Sequence, residues 1–200
     1  MTHPRPDLAL ATAQFVAFDC ETTGMDPRRD RIVALGAVRF TADGGISDTF
    51  ESLVDPGLPI PHTAAAVHGI DDAAVRGQPH IAAVVPSFRS FIGAAVPVAH
   101  MAAFDLAFLR GPLRRARQPS LERVLDTAVL ASRLLPTLSD ISLEALGARL
   151  AVPISGRHTA IGDATIAARL CARLLVLLER RGTRTLHQAL DWGDAGRAIV

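Results

Sequence analysis

The sequence predicts an α/β sandwich: a mixed five-stranded sheet, with three strands in an antiparallel meander and two parallel, flanked by helices. Three features of the 200-residue chain predict it. Three short runs rich in β-branched and aromatic residues open the chain, separated by turn residues. The middle then alternates helical spacing with short apolar runs. Near the end stands one long run whose apolar positions cover most of a helix surface. Strands first, then helix–strand alternation, describe helices packed on a mixed sheet.

The elements follow in order. Residues 14–21 are short, apolar and rich in aromatic and β-branched side chains, as in a buried strand. Residues 22–30 carry Gly, Pro and Asp, which is turn chemistry. A second strand spans 31–41, Asp43-Gly44-Gly45 makes a hairpin turn, and a third strand spans 46–54. A Pro-rich loop leads to an irregular segment around His68. Residues 80–94 have helical spacing, 96–99 form a short buried strand, and 102–117 form a helix with Arg110, Arg114, Arg115 and Arg117 towards its end. A fifth strand is expected at 123–125, a helix at 126–135, and another opening at the N-cap Ser142. Residues 160–181 are the longest helical run and are expected to pack against the sheet.

Two hundred residues suit one domain with a sizeable core. We expect a flexible N-terminal tail over 1–13, the main domain over 14–182, and a C-terminal helix and tail over 183–200. Hydrophobic residues make up 49% and charged residues 20%, an ordinary globular composition. The formal charge of +1 advertises no nucleic-acid partner, and all 21 basic residues are Arg, a bias that coding composition explains. Cys20 and Cys171 lack metal-type spacing and suit a reducing compartment. No apolar run approaches the ~18 residues that a membrane span needs. Asp19 and Glu21 stand where a cleavage site would require small residues, so residues 8–18 do not read as a signal peptide, and a cytoplasmic location is expected.

Three clusters carry chemistry. Asp19 and Glu21 lie two apart on the first strand, so both carboxylates point to one face. Their repulsion in a partly desolvated site is relieved most simply by a divalent cation, and oxygen ligands suit Mg²⁺ or Mn²⁺. Alone, such a pair is more often a solvated strand end. Asp105 follows the fourth strand at the start of a helix, where ligands gather in open α/β sheets and where an acid also complements the helix dipole. His158 precedes Asp163 by five residues at the start of the longest helix, and histidine can exchange a proton near neutral pH. The conjunction of the three, in this order, carries the argument.

These motifs resemble those of the DnaQ-like exonucleases of the DEDD superfamily, in the branch with a histidine in its third motif, and are similar to those of the proofreading subunits of bacterial DNA polymerase III. Phe18-Asp19-Cys20-Glu21-Thr22-Thr23-Gly24 matches the first motif. Ala99-His100 through Phe104-Asp105 matches the second, and His158 with Asp163 the third. Lesser matches fall at Val67-His68-Gly69-Ile70, Leu125-Asp126-Thr127 and Ser142-Leu143-Glu144-Ala145-Leu146. The resemblance covers about residues 14–180. The sister branch carries a tyrosine before its last Asp, and this chain contains no Tyr.

The resemblance implies a ribonuclease-H-like fold, two divalent cations (Mg²⁺ or Mn²⁺), and hydrolysis from a nucleic-acid 3′ end that releases nucleoside monophosphates, with single-stranded DNA favoured. Asp19, Glu21, Asp105 and Asp163 match the metal-binding acids and His158 the general base. Thr22, Thr23, Gly24 and His68 match positions that hold the terminal nucleotide, and Met25 and Phe104 are expected against its base or sugar. Met101 stands where the family commonly has Asn, so a hydrogen bond supporting the site is expected to be missing. Two alternatives remain open: an exonuclease of the same fold acting on RNA 3′ ends, and a weakly active module that binds a polymerase. A polymerase or a second copy as partner cannot be inferred from the chain, and no membrane partner is expected.

Overall fold

The computed structural model describes residues 8–195. Five strands form one sheet in the order β3-β2-β1-β4-β5: β1 (Gln14–Thr22), β2 (Ile32–Thr41), β3 (Ile46–Leu53), β4 (Val96–Ala99) and β5 (Leu125–Asp126). β1 pairs antiparallel with β2, from Gln14 opposite Thr41 to Glu21 opposite Ala34, and the register shifts between Glu21 and Thr22. β2 pairs antiparallel with β3, whereas β4 and β5 run parallel to β1. The expected meander and parallel pair are both present, and the sheet is the ribonuclease-H-like one.

Alternation along β1 builds two cores. Phe15 and Ala17 face one side, where Phe15 stacks on Phe40 at 5.3 Å between ring centroids. Val16, Phe18 and Cys20 face the other, where Phe18 meets the edge of Phe88. The first side is covered by α5 (Thr127–Leu134), α6 (Leu143–Leu150), α7 (Ala160–Arg180) and α8 (Leu186–Gly193). The second is covered by α3 (Ile81–Ile92) and α4 (Ala103–Arg115). β1 is therefore buried on both faces, as its unbroken apolar run requires. Two short helices, α1 (His62–His68) and α2 (Asp72–Val75), lie between β3 and α3 and enclose a small cluster of Val33, Ile60 and Val75.

Three expectations need correction. The segment around His68 is helical: α1 carries His68 as its last residue and ends at Gly69, whose N–H donates to the Ala65 carbonyl at 2.8 Å. The fifth strand begins later than expected, because Asp126 belongs both to it and to the cap of α5. Residues 8–13, expected in the flexible tail, instead pack on the domain. Leu10 is buried, its N–H donates to the Arg184 carbonyl at 2.9 Å, and the Leu186 N–H donates to the Leu8 carbonyl. An apolar Leu-Ala-Leu stretch beside the start of α8 buries more surface there than in solvent. The expected C-terminal helix is α8; the remaining parts of both expected tails, 1–7 and 196–200, lie outside the described residues. Among the described residues no helix is long and apolar enough to cross a membrane.

One glycine sets how closely α7 approaches the sheet. Gly36 stands opposite Asp19 in the β1–β2 ladder. A Cβ there would lie 2.4 Å from the backbone of Ala160 and Ile161, the first residues of α7. Because the obstacle is backbone, Gly36→Ala must push the start of α7, and Asp163 with it, away from β1. Overpacking of this kind costs about 1–3 kcal/mol, so we expect Gly36→Ala to lower the melting temperature and weaken divalent-ion binding together. Thermal melts and metal titrations of the variant check this; an unchanged metal affinity would show that α7 does not need that approach.

Candidate active site

The site lies at the carboxyl ends of β1 and β4, the expected place for a ligand in such a sheet. Asp19 and Glu21 occupy odd positions of β1, so they continue the face of Phe15 and Ala17 that looks at α7. Asp163 enters from the first turn of α7 and is buried. The three carboxylates each present an oxygen within 4.8 Å of the others.

Asp105 comes from the opposite layer, in the first turn of α4. It is buried, and its Oδ1 accepts the Cys20 N–H at 2.9 Å. That bond holds it against β1 between the positions of Asp19 and Glu21, yet outside the trio. Of the four expected acids, the structure thus gathers three and places the fourth next to them.

Burial raises the pKa values of Asp19, Glu21 and Asp105. Asp19 is held well above the ordinary carboxylate range by burial first, then by the charges of Asp105, Glu21 and Asp163. Glu21 is pushed up to about 7 by burial and by Asp163, against the Arg157 guanidinium. Asp105 is also pushed up to about 7 by burial, although its hydrogen bonds with Cys20 work the other way. Without a cation the site therefore keeps protons at neutral pH, and a cation would displace them. The donor set fits a hard divalent ion, since every available donor atom of the trio is a carboxylate oxygen. A second observation agrees: Asp163 Oδ1 is buried without a hydrogen-bond partner. Such an orphan acceptor is costly unless something binds it.

The other expected residues fall around this cluster. His158 is exposed on the loop before α7 in a left-handed conformation (φ 61°), which histidine adopts more readily than most residues. Its N–H points at Asp163 Oδ2, 3.4 Å away. The loop is drawn onto α7 by Thr159, whose hydroxyl donates to the Gly156 carbonyl and accepts the Gly162 N–H. The contact is so close that a Cβ on Gly162 would lie 1.8 Å from the Gly156 carbonyl oxygen. His68 is buried; its Nδ1 accepts the Ile70 N–H, and burial holds its pKa below the usual histidine range, with the Thr22 backbone opposing.

Thr22 and Thr23 spend their hydroxyls inside the loop. Thr22 donates to the Gly24 carbonyl, and Thr23 bonds Asp30 and the Arg31 N–H. Gly24 lies against the Asp30 carboxylate. Met25 is 79% exposed at the loop's tip, whereas Phe104 is partly buried against Phe108.

Sequence reasoning assigned no role to Asp126, Arg157 or Gly36. Asp126 is buried and accepts four backbone N–H groups: Met101 and Ala102 before α4, and Ala128 and Val129 at the start of α5. It ties the segment bearing His100 and Asp105 to β5. Its N-cap chemistry ahead of an apolar run was the available signal. His100 Nδ1 lies 2.8 Å from the Thr127 hydroxyl, and burial lowers the pKa of its ring. Arg157 bonds both Asp163 and Glu144. No local pattern announces it, because Glu144 lies 13 residues away.

The backbone of Met101 bears on the same departure. It too is left-handed (φ 54°) and half-exposed, with its N–H donating to Asp126 and its carbonyl accepting the Phe104 N–H. A left-handed backbone favours Asn over Met regardless of any bond the side chain makes. We expect Met101→Asn to stabilise the protein by about 1 kcal/mol while leaving the rate of hydrolysis close to wild type. Denaturant unfolding alongside a rate measurement checks it; a faster rate without added stability would point instead to a missing side-chain hydrogen bond.

A sheet of this order, with carboxylates on its central strand facing the first turn of a long helix, defines the class as a ribonuclease-H-like nuclease domain. Residues 16–171 match the model of the Exonuclease family (RNase T), and the chain belongs to that family. It is 42% identical over 180 residues to a DNA polymerase III subunit epsilon-like protein of Rhodobacter capsulatus, covering 88% of this chain and 26% of that protein. It is 37% identical over 157 residues to a PolC-type DNA polymerase III of Clostridium perfringens, covering 78% of this chain and 11% of that one. The chain thus spans 26% and 11% of the length of these two relatives. Among solved structures it is similar to exonuclease X in complex with 5′-overhanging duplex DNA, with a TM-score of 0.67 and 30% identity, covering 88% of this chain and 98% of that one.

Proposed function

We propose that this domain is a metal-dependent 3′–5′ exonuclease that releases nucleoside 5′-monophosphates, with single-stranded DNA as its preferred substrate. The observation that carries the reading is the trio of Asp19, Glu21 and Asp163 oxygens within 4.8 Å, one carboxylate among them keeping a buried, unpartnered oxygen. Asp19, Glu21, Asp105 and Asp163 would hold two divalent cations, Mg²⁺ or Mn²⁺. Bound there, the cations supply Lewis-acid activation of the attacking water and charge stabilisation of the leaving 3′ oxygen.

The chain's own groups do the rest. His158, exposed beside Asp163, takes the proton from the attacking water. The backbone of Thr22-Thr23-Gly24, braced by the Thr23 hydroxyl's bonds to Asp30 and to the Arg31 N–H, and His68 hold the terminal nucleotide. Met25 and Phe104 offer apolar surface for its base or sugar. Contacts of this kind position a strand without reading its sequence. DNA is favoured because two similar proteins are named as DNA polymerase III proteins and a third was solved with DNA.

Matched DNA and RNA oligomers, each with a free or a blocked 3′ end, test the reading with and without a chelator. We expect stepwise shortening of the free 3′ ends only, faster on DNA, and no reaction once the divalent ions are removed. Digestion of 3′-blocked strands would refute the polarity, faster digestion of RNA the substrate, and activity in chelator the metal requirement.

A further inference from the structure

We propose that Arg157 is a positioning residue which, braced by Glu144, holds one oxygen of Asp163 so that the other is presented to the metal site. The inference rests on the metal-site reading above and concerns how that site is kept in shape. Arg157 lies on the loop between α6 and α7. Its Nε donates to Glu144 Oε1 at 2.6 Å, and its Nη1 donates to Asp163 Oδ2. Glu144 belongs to the first turn of α6 and Asp163 to the first turn of α7. One guanidinium therefore ties the start of one helix to the start of the next.

The division of labour within the Asp163 carboxylate carries the argument. Oδ2 takes Arg157 and faces the His158 N–H, while Oδ1 is buried and takes nothing. The terminal torsion of an aspartate is broad and roughly two-fold, so an unheld carboxylate could turn either oxygen inward. A planar guanidinium engaged through two of its nitrogens fixes that torsion, because the Nε bond to Glu144 sets the plane in which Nη1 meets Asp163. Burial adds to the stiffness: the side chains of Arg157 and Asp163 are 22% and 9% exposed.

A positive charge this close would by itself repel a divalent cation. Glu144 offsets it, so the cation site faces a nearly neutral pair and keeps the orienting bond. The same arrangement tunes the other acids, since the Arg157 charge lowers the pKa values of Asp19 and Glu21 against their burial.

Outer partners that orient a ligating side chain are typically worth about 10–100-fold in metal affinity. Calorimetric titration with Mn²⁺ alone, on the full chain, reads this without reference to activity. We expect Arg157→Gln to bind Mn²⁺ about 10–100-fold more weakly. Arg157→Lys should be weakened nearly as much, because an ammonium keeps the charge but loses the fork. Glu144→Gln should move in the same direction by less. Its side chain is 53% exposed, so it remains informative if an Arg157 variant does not fold. Circular dichroism of the metal-free variants controls for folding. Mn²⁺ affinity that is unchanged or tighter in Arg157→Gln, or fully restored in Arg157→Lys, would overturn the proposal, since Arg157 would then be a mere counter-ion. Failure of the wild-type protein to bind Mn²⁺ would overturn the metal-site reading itself, a separate and recognisable result.

Discussion

His158→Ala should lower the single-turnover rate by about 10²–10⁴-fold and leave divalent-ion affinity near that of the wild type. The expectation follows from where the residue stands. The residue is exposed on the loop before α7, and its backbone N–H lies 3.4 Å from Asp163 Oδ2. Removing the imidazole would take away the proposed proton acceptor and leave the carboxylates where they are. The left-handed backbone at this position (φ 61°) makes alanine somewhat less comfortable than histidine. His158→Asn, which tolerates that conformation without serving as a base, is therefore the better control. Both substitutions should cost about the same in rate. If either keeps full activity, or loses metal, His158 is not the base.

Asp163→Ala should lose both rate and metal affinity, the affinity by more than the ~10–100-fold expected for an outer partner. It removes a carboxylate oxygen of the trio that is buried and unpartnered. It also removes the charge that, after burial, most raises the pKa of Glu21. A pH dependence follows. Glu21 and Asp105 are raised to about 7 in the folded protein, above their ordinary values, so between the two limits the folded state binds more protons than the unfolded one. The metal-free protein should therefore lose stability as pH rises from the ordinary carboxylate range through about 7. Cation binding must displace those protons, so divalent-ion affinity should rise across the same window. In Asp163→Ala the stability loss should shrink, because Glu21 loses its main charged neighbour. Melting temperatures of metal-free wild type and variant between pH 5 and 8 make the comparison on the order of the shifts involved. A wild-type protein that gains stability with pH would contradict the protonated, cation-free site.

The fold was largely legible because its signals are local. Apolar runs bounded by Gly, Pro and Asp marked the β1–β3 meander, and the spacing of Val84, Val85, Phe88 and Ile92 marked α3. The fifth strand was misplaced because two residues carry too little pattern to locate. The start of α1 was missed because His62-Thr-Ala-Ala-Ala-Val has a weak apolar stripe, and its packing on Val33 and Ile60 decides the matter. Leu10 was assigned to a tail because its partners, the Arg184 carbonyl and the face of α8, come from the far end of the chain.

The site divides in the same way. Asp19 and Glu21 announce themselves by strand period, and Asp163 by its place at a helix start. Gly36 and Arg157 could not be read as members of the site. Gly36 matters only because the backbone of α7 passes within a Cβ's reach, and Arg157 only because Glu144 and Asp163 meet it from two helices. Both roles are long-range facts of packing. Met101 shows the converse: its departure from the family's usual residue is plain in the sequence, whereas its left-handed backbone, on which Asn also sits more easily, is not.

In the proposed site the acids of β1 and α7 hold a divalent cation with Asp163 Oδ1 as a ligand. Crystals soaked in Mn²⁺ with a nucleoside 5′-monophosphate, and read by anomalous scattering, test it most directly. We expect a manganese peak among Asp19, Glu21 and Asp163, liganded by Oδ1 while Arg157 remains on Oδ2. A peak that avoids these three carboxylates, or no peak at a Mn²⁺ concentration that supports hydrolysis, would contradict it.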